Sequence, residues 1–403
     1  MVNFDLVNDT PTTNKTVFLL TDLDVPIDEN GRIIDDKKIQ QAMQTINYLV
    51  KTGARVVIAT HLGLPASSFD VRFSTKPIAE YLNKRMHCNV NFTPNCIGEQ
   101  VKRDIFRTEY GDIIVLENLL FHKEEKDCDM NFARQLADGM NVYVNDSFEY
   151  SNYSYASVLA VPLFIRATGG FALTNTIKQL DAFLSPLNQF TTAIIGGNKM
   201  FSKIDLLDNL TERAKCIIAC GSLGNAILAV FEKNVGKSIY EKHYLKIIEK
   251  VLDKAMKNDC LILYPNDAKV VKQLHQENVI NKSVDEIEND DIIVDIGEET
   301  IKNALSVIDV SRCVFWYGNV GLSEYKNSNL ATIEIADKIT NLTKKKRLFS
   351  IVSGNDTLLS LKKLNYLDKF SFVSRYSSST VQYMSNKVLP GIEVLRRLSK
   401  QMV

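Results

Sequence analysis

Thr191-Thr192-Ala193-Ile194-Ile195-Gly196-Gly197-Asn198-Lys199 is a short apolar, β-branched run that breaks directly into two glycines and a lysine. A run of this length bounded by turn residues reads as a buried parallel strand. Lys203 follows one helical turn after Lys199. Glycines there let backbone N–H groups approach a phosphate, and the two lysines can neutralise it from one helix face. Standing alone, Gly-Gly-x-Lys is better read as a plain tight turn. Its meaning comes from its register with the rest of the chain.

Runs of the same kind recur on both sides. Upstream they are Thr16–Thr21, Arg55–Thr60, Asp112–Leu116 and Val142–Asn145. Downstream they are Lys215–Ala219, Cys260–Tyr264, Ile292–Asp295, Arg312–Tyr317, Leu348–Ser353 and Phe370–Ser374. Helical patterns lie between them. Ile39, Met43, Ile46 and Leu49 form one apolar stripe at helical spacing. Ser74, Thr75 and Pro77 open a further helix carried by Ile78 and Leu82. This alternation predicts βαβ units: an α/β protein with two doubly wound parallel-sheet domains and helices on both faces. The strands fall into two groups, separated by the helical stretch Thr174–Phe183 and then Leu184-Ser185-Pro186. The expected division is a first domain over residues 1–173, a connecting helix and hinge over 174–188, a second domain over 189–388 and a tail over 389–403. In such folds ligands sit at the carboxyl ends of the strands, facing the cleft that separates the domains.

Bulk composition narrows the function classes. With 403 residues the chain can bury two cores. Its 48 basic and 48 acidic side chains cancel, so no global field steers it toward nucleic acid or an anionic membrane. No window approaches the ~20 apolar residues that span a bilayer. Met1 to Lys15 has neither the apolar core of a signal peptide nor the Arg-rich helix of a transit peptide. The seven cysteines are scattered and odd in number, which predicts reduced thiols and a cytoplasmic location. Cys216 and Cys220 are close, but the residues between them read as a strand and no second Cys cluster or His pair completes a zinc site.

Val352-Ser353-Gly354-Asn355-Asp356-Thr357 also follows a strand and opens a helix. The free N–H groups and positive dipole end of such a helix suit a terminal phosphate. Asp356 suits a Mg²⁺ bridging phosphates, because hard cations prefer carboxylate oxygen. The bland alternative is that Asp356 or Thr357 simply caps the helix.

Four further stretches fall in order along the first half: Thr21-Asp22-Leu23-Asp24-Val25-Pro26, His61-Leu62-Gly63-Leu64-Pro65, Leu116-Glu117-Asn118-Leu119-Leu120-Phe121-His122-Lys123-Glu124-Glu125 and Val144-Asn145-Asp146-Ser147-Phe148. In the second half Phe315-Trp316-Tyr317-Gly318-Asn319-Val320-Gly321-Leu322-Ser323-Glu324, Pro265-Asn266-Asp267 and Asp295-Ile296-Gly297 keep the same order. Together with the two phosphate-like loops they resemble the phosphoglycerate kinase family, from about Thr16 to Pro390. The resemblance implies that the tail after Pro390 crosses back to the first domain, and that the protein is a monomer. It implies Mg²⁺ with ATP or ADP on Gly196, Gly197, Lys199, Lys203, Glu324, Gly354, Asp356 and Thr357, with the metal at Asp356. It implies catalytic roles at Lys38 and Lys199, and a substrate site that includes Asp22, Asp24 and His61.

The same resemblance exposes departures. The family holds 3-phosphoglycerate with a ring of arginines, and the corresponding positions here read Lys38, Leu64, Leu120 and Tyr153. Two family histidines correspond to Asn152 and Tyr155, and a family asparagine to Asp24. On the nucleotide side, Tyr317 and Asn319 replace an asparagine and a proline. Cys220-Gly221-Ser222 and Tyr376-Ser377-Ser378 replace glycine triplets. Each charge-assisted hydrogen bond contributes roughly 1.5–3 kcal/mol, so three lost arginines imply on the order of 5–9 kcal/mol if additive, about 10³- to 10⁶-fold in binding or rate.

Three functional expectations follow. The first is a family member that has lost the family reaction, keeps weak nucleotide binding, and meets a protein partner at the former substrate cleft, where Leu64, Leu120, Tyr153 and Tyr155 form an apolar, aromatic face. The second is a working, divergent phosphoglycerate kinase that relies on Lys38, Lys199, Lys203, Glu324 and Asp356. The third is a kinase for a less anionic acceptor held in that apolar face.

Overall fold

The computed structural model describes residues 2–185, 189–274, 278–322, 325 and 329–401. The chain divides into two compact units. Unit 1 is Met1–Lys178 with Val388–Val403, and unit 2 is Gln179–Lys387.

Unit 1 carries strands β1 (Thr16–Leu20), β2 (Arg55–Ala59), β3 (Val90–Thr93), β4 (Ile113–Leu116), β5 (Val142–Asn145) and β6 (Arg166–Gly169). Its helices are α1 (Lys37–Lys51), α2 (Lys76–Asn83), α3 (Glu99–Arg107), α4 (Lys123–Lys126), α5 (Met130–Ala137) and α6 (Phe171–Leu184). The strands form one sheet in the order β3-β4-β2-β1-β5-β6, parallel throughout. α1 shows how the sequence builds this layer. Ile39, Ala42, Ile46 and Leu49 are buried on one face, against Val17, Leu19, Val56 and Ile58 of the sheet. Gly53, in the left-handed region at φ 73, ends the helix. The Thr52 and Ala54 amides close onto the Tyr48 and Leu49 carbonyls, so the chain turns straight into β2.

Unit 2 carries β7 (Thr191–Ile195), β8 (Cys216–Ala219), β9 (Leu261–Leu263), β10 (Asp267–Val271), β11 (Ile280–Ser283), β12 (Ile292–Ile296), β13 (Cys313–Tyr317), β14 (Phe349–Ser353) and β15 (Phe372–Ser374). Its helices are α7 (Ile204–Arg213), α8 (Gly221–Val230), α9 (Leu245–Lys257), α10 (Glu298–Val310), α11 (Leu330–Lys344), α12 (Asn355–Lys363) and α13 (Ser377–Met384). The main sheet runs β15-β14-β13-β7-β8-β9, again parallel. Its core joins Ile194, Ile218, Val314, Trp316 and Val352 to the apolar faces of α10 and α11.

One strand departs from expectation. Ile292–Asp295 reads as a buried parallel strand, but β12 pairs antiparallel with β10 in a separate three-stranded sheet, β11-β10-β12. An apolar run reports burial and not the direction of its neighbour.

The helix α14 (Pro390–Gln401) belongs to unit 1. Gly391 is pressed against Ser151 and Val158, and Ser399 Oγ accepts the Asp5 amide at 2.8 Å. The division between the units falls inside α6, after Lys178. Among the described residues, no helix is long and apolar enough to cross a membrane.

Candidate functional site

In unit 1, the carboxyl ends of the interior strands β1, β2 and β5 deliver Asp22, Asp24, His61 and the loop from Asp146 to Ser157 to one end of the sheet. Asp22 is buried and meets the Lys38 ammonium at 3.0 Å. Its other oxygen accepts the Asp24 amide at 3.0 Å, and Asp24 in turn accepts the Gly63 amide at 2.9 Å. Burial pulls the Lys38 ammonium down, but Asp22, Asp24 and Glu149 outweigh it and hold Lys38 above the ordinary lysine value.

Behind them lies a polar core. His61 is fully buried, and its Nε2 sits 2.8 Å from Glu125 Oε1. Glu125 also accepts the Ser157 amide at 3.0 Å and the Ser157 hydroxyl at 2.5 Å. Three tyrosines cover this pair. Tyr150 stacks on His61 with ring centroids 3.9 Å apart. Tyr153 lies 5.8 Å from Tyr150 and stacks on Tyr155 at 5.0 Å. Burial, followed by the charges of Asp22, Asp24 and Glu149, pushes the Tyr150 phenol well up.

Leu64 and Leu120 do not share a face. Leu64 is 89% exposed, whereas Leu120 is 2% exposed and held by the Asn118 turn, whose side chain accepts its amide. The expected apolar groove of Leu64, Leu120, Tyr153 and Tyr155 is therefore corrected. Leu120 is core, and the exposed face is aromatic and acidic.

The second site lies in unit 2. The loop after β7 locks onto the loop after β13. Gly196 donates to the Tyr317 carbonyl at 3.0 Å and Gly197 to the Asn319 carbonyl at 2.6 Å. A Cβ on Gly196 would strike the Asn319 carbonyl, and one on Gly318 the Gly196 carbonyl, so these glycines serve loop-to-loop packing. Both amides that could face a phosphate thus already have acceptors inside the protein. Lys203 is buried and donates to the Gly196 carbonyl, and to that of Asn198 at 2.7 Å. Burial brings Lys203 down to about 8 despite the charges of Asp356 and Glu241. Lys199 is exposed and in the left-handed region at φ 61.

At the start of α12, Gly354 has φ 99, Asp356 is exposed, and the Thr357 hydroxyl accepts the Gly318 amide at 2.9 Å. Tyr317 lies against Gly354, with its hydroxyl 3.2 Å from Ser377 Oγ. Beside these loops a pocket of about 130 Å³ is lined by Gly221, Ile239, Pro265, Val294, Leu322 and Asp356, among others. It places Gly197 and Asp356 on one apolar hollow. Glu324 lies outside the described residues.

Compared with known proteins, the chain matches the family described as phosphoglycerate kinase over residues 7–387. The chain belongs to the phosphoglycerate kinase family. It is 34% identical to the phosphoglycerate kinase of Wolbachia pipientis wMel over 95% of this chain and 96% of that one. It is 32% identical to that of Orientia tsutsugamushi strain Boryong over 98% of each. The solved phosphoglycerate kinase of Coxiella burnetii superposes with a TM-score of 0.90 at 27% identity, covering 98% of this chain and 100% of that one. That of Pyrococcus horikoshii, at 23% identity and a TM-score of 0.80, shares the fold over 99% of this chain and 100% of that one.

Within this phosphoglycerate kinase fold, Asp22, Asp24, Lys38 and His61 come together in unit 1, and Gly196, Gly197, Lys203, Gly354, Asp356 and Thr357 come together in unit 2. Sequence reading missed Glu125, Glu149 and Tyr150. Glu125 looks like one more surface acid in Lys123-Glu124-Glu125-Lys126, yet it is fully buried on a histidine 64 positions away. Glu149 and Tyr150 follow Phe148 directly and carried no signal of their own.

Proposed function

We propose that this chain is a phosphoglycerate kinase homologue in which transfer between ATP and 3-phosphoglycerate is lost or strongly impaired, with weak Mg-nucleotide binding retained in unit 2. The observation that carries the reading is the Lys38–Asp22 pair. The one cation left among the four arginine positions is bonded to a carboxylate, with Asp24 and Glu149 acting on it as well. An anionic acceptor needs cations aimed at its charge, because phosphoryl transfer depends on positioning and charge stabilisation. Arg55 and Arg166, at the amino ends of their strands, bond Thr108 and Asp5, and Arg72 forks onto Asp70.

The unit 2 pocket supports the nucleotide half of the reading. Its apolar wall of Ile239, Pro265, Val294 and Leu322 suits a flat base, and Gly197, Asn198 and Asp356 line it as well, next in sequence to the exposed Lys199. Asp356 fits a Mg²⁺ of the kind held by one carboxylate, phosphates and water. That ion would neutralise phosphate charge, while Lys199 and the first amides of α12 would orient the phosphates. Among the described residues, the one cluster of three acidic ligands is Glu288, Asp290 and Asp291, and Lys272 and Lys282 already fill it.

Calorimetric titration of the full chain tests both halves. MgADP should bind weakly, and 3-phosphoglycerate should give no saturable heat up to millimolar concentration. Saturable 3-phosphoglycerate binding below that range would overturn the reading and favour an active, divergent enzyme.

A further inference from the structure

We infer that the aromatic and acidic face of unit 1 is a binding site for a guanidinium group, formed by Asp22, Asp24, Tyr150, Tyr153 and Tyr155. The inference rests on the reading that this site no longer holds an anion, and it is independent of the nucleotide half.

Three observations converge. Carboxylates cluster here: Asp22, Asp24 and Glu149 all act on Lys38, and Asp22 is bonded to it. Asp24 uses one oxygen on the Gly63 amide and is half-buried, which fixes the carboxylate while leaving it reachable. Tyrosine faces stand next to these charges, with Tyr153 36% exposed and stacked on a half-buried Tyr155. The Tyr150 side chain is 8% exposed, makes ring contacts with His61, Tyr153 and Tyr155, and lies within electrostatic reach of Asp22 and Asp24, yet its hydroxyl has no hydrogen-bond partner among the described residues. A phenol oxygen beside two carboxylates, with no partner among the described residues, is open to a donor from outside.

The chemistry selects the donor. A tyrosine face attracts a cation, and a carboxylate takes a planar fork in two places. A guanidinium meets both demands at once, stacking flat on a ring while it bonds an acid edge-on; an ammonium is a strongly hydrated point charge that does so less well. Two sources carry this group: free arginine, and an arginine side chain on another protein. On this inference the site takes a cation where the family's acceptor is an anion.

N-acetyl-L-arginine amide, free L-arginine and an arginine-bearing tripeptide would each be titrated into the ¹⁵N-labelled full chain, with N-acetyl-L-lysine amide and 3-phosphoglycerate as comparisons. Saturable shifts for the arginine amide, confined to amides around Asp24 and Tyr153, are expected. Asp24→Asn and Tyr153→Ala should each weaken it by about fivefold or more. Asp24→Asn keeps the oxygen that accepts Gly63, and Tyr153 is surface-accessible, so both variants should fold; their amide spectra would verify it. Tighter binding of the tripeptide than of free arginine assigns the source to a protein, and the reverse order to the amino acid. No saturation by any arginine compound, equal binding of the lysine amide, or binding unchanged in both variants would overturn the inference. Where 3-phosphoglycerate also fails to bind, only this inference falls. Where 3-phosphoglycerate binds instead, the lost-acceptor reading falls with it.

Discussion

Tyr150 lies on His61 with ring centroids 3.9 Å apart and 30° between planes, sealing the bond from His61 to Glu125 away from water. Asp22 and Asp24 lie within electrostatic reach of the Tyr150 phenol, and Glu125 accepts the Ser157 hydroxyl as well as pairing with His61. Of the residues expected to meet a substrate, Asp24 is half-buried, whereas Asp22 and His61 are buried.

The closed core should matter for stability. Glu125 is fully buried and accepts from Ser157 twice while pairing with His61. Glu125→Ala leaves three polar groups without a partner and should cost about 3–5 kcal/mol of unit 1 stability. Urea unfolding followed by unit-specific amide signals measures this; a loss under about 1 kcal/mol would show that the network is not structural.

Leu64 and Leu120 should respond in opposite ways to restored charge. Leu64→Arg places a cation at an 89% exposed position and should change stability by no more than about 0.5 kcal/mol. Leu120→Arg must bury a guanidinium at a 2% exposed position and should cost about 3 kcal/mol or more. Chemical denaturation of the two variants side by side decides it, and equal stability would mean that residue 120 can swing outward.

Tyr317 should restrict the nucleotide. Its ring rests on Gly354, at the helix end suited to a terminal phosphate, and its hydroxyl reaches Ser377. Tyr317→Asn removes that ring, and MgATP should then bind at least about threefold more tightly, a gain of roughly 0.7 kcal/mol. Unchanged affinity by calorimetry would place the phosphates elsewhere.

Asp146 predicts a pH effect. Its carboxyl is fully buried and caps α6 through the Ala172 amide at 2.8 Å, and burial raises it to about 7. A carboxyl with a raised folded value holds its proton longer in the native state. Its contribution is therefore intact below about pH 4 and declines as pH rises toward 7. Asp146→Asn still offers an oxygen to the cap and cannot ionise, so the stability of the wild type relative to this variant should fall between pH 4 and pH 7. A difference that is flat with pH would show that Asp146 is charged in the folded protein throughout.

The parallel sheets were legible because buried central strands are continuous apolar runs, as in Thr191–Ile195 and Val142–Asn145. The strands that escaped notice are those where polarity hides the pattern. Val90–Thr93, Arg166–Gly169 and Ile280–Ser283 lie at sheet edges and carry polar residues or glycine, and Asp267–Val271 buries an aspartate and a lysine within its run. Asp267 is there because it caps α10 through the Glu299 and Thr300 amides, a tertiary demand without local signature. At the candidate site, motif spacing singled out Asp22, His61 and Asp356. It could not show that Leu120 turns inward or that Glu125 crosses the fold to His61, because both depend on how distant loops pack.

Steady-state transfer from MgATP to 3-phosphoglycerate, with pure protein and a Lys199→Ala control, decides whether the family reaction is lost. No turnover above the control is expected at high concentrations of both substrates. Turnover that the control abolishes would contradict it, and would mean that the cations missing at Leu64, Leu120 and Tyr153 are supplied from elsewhere in the fold.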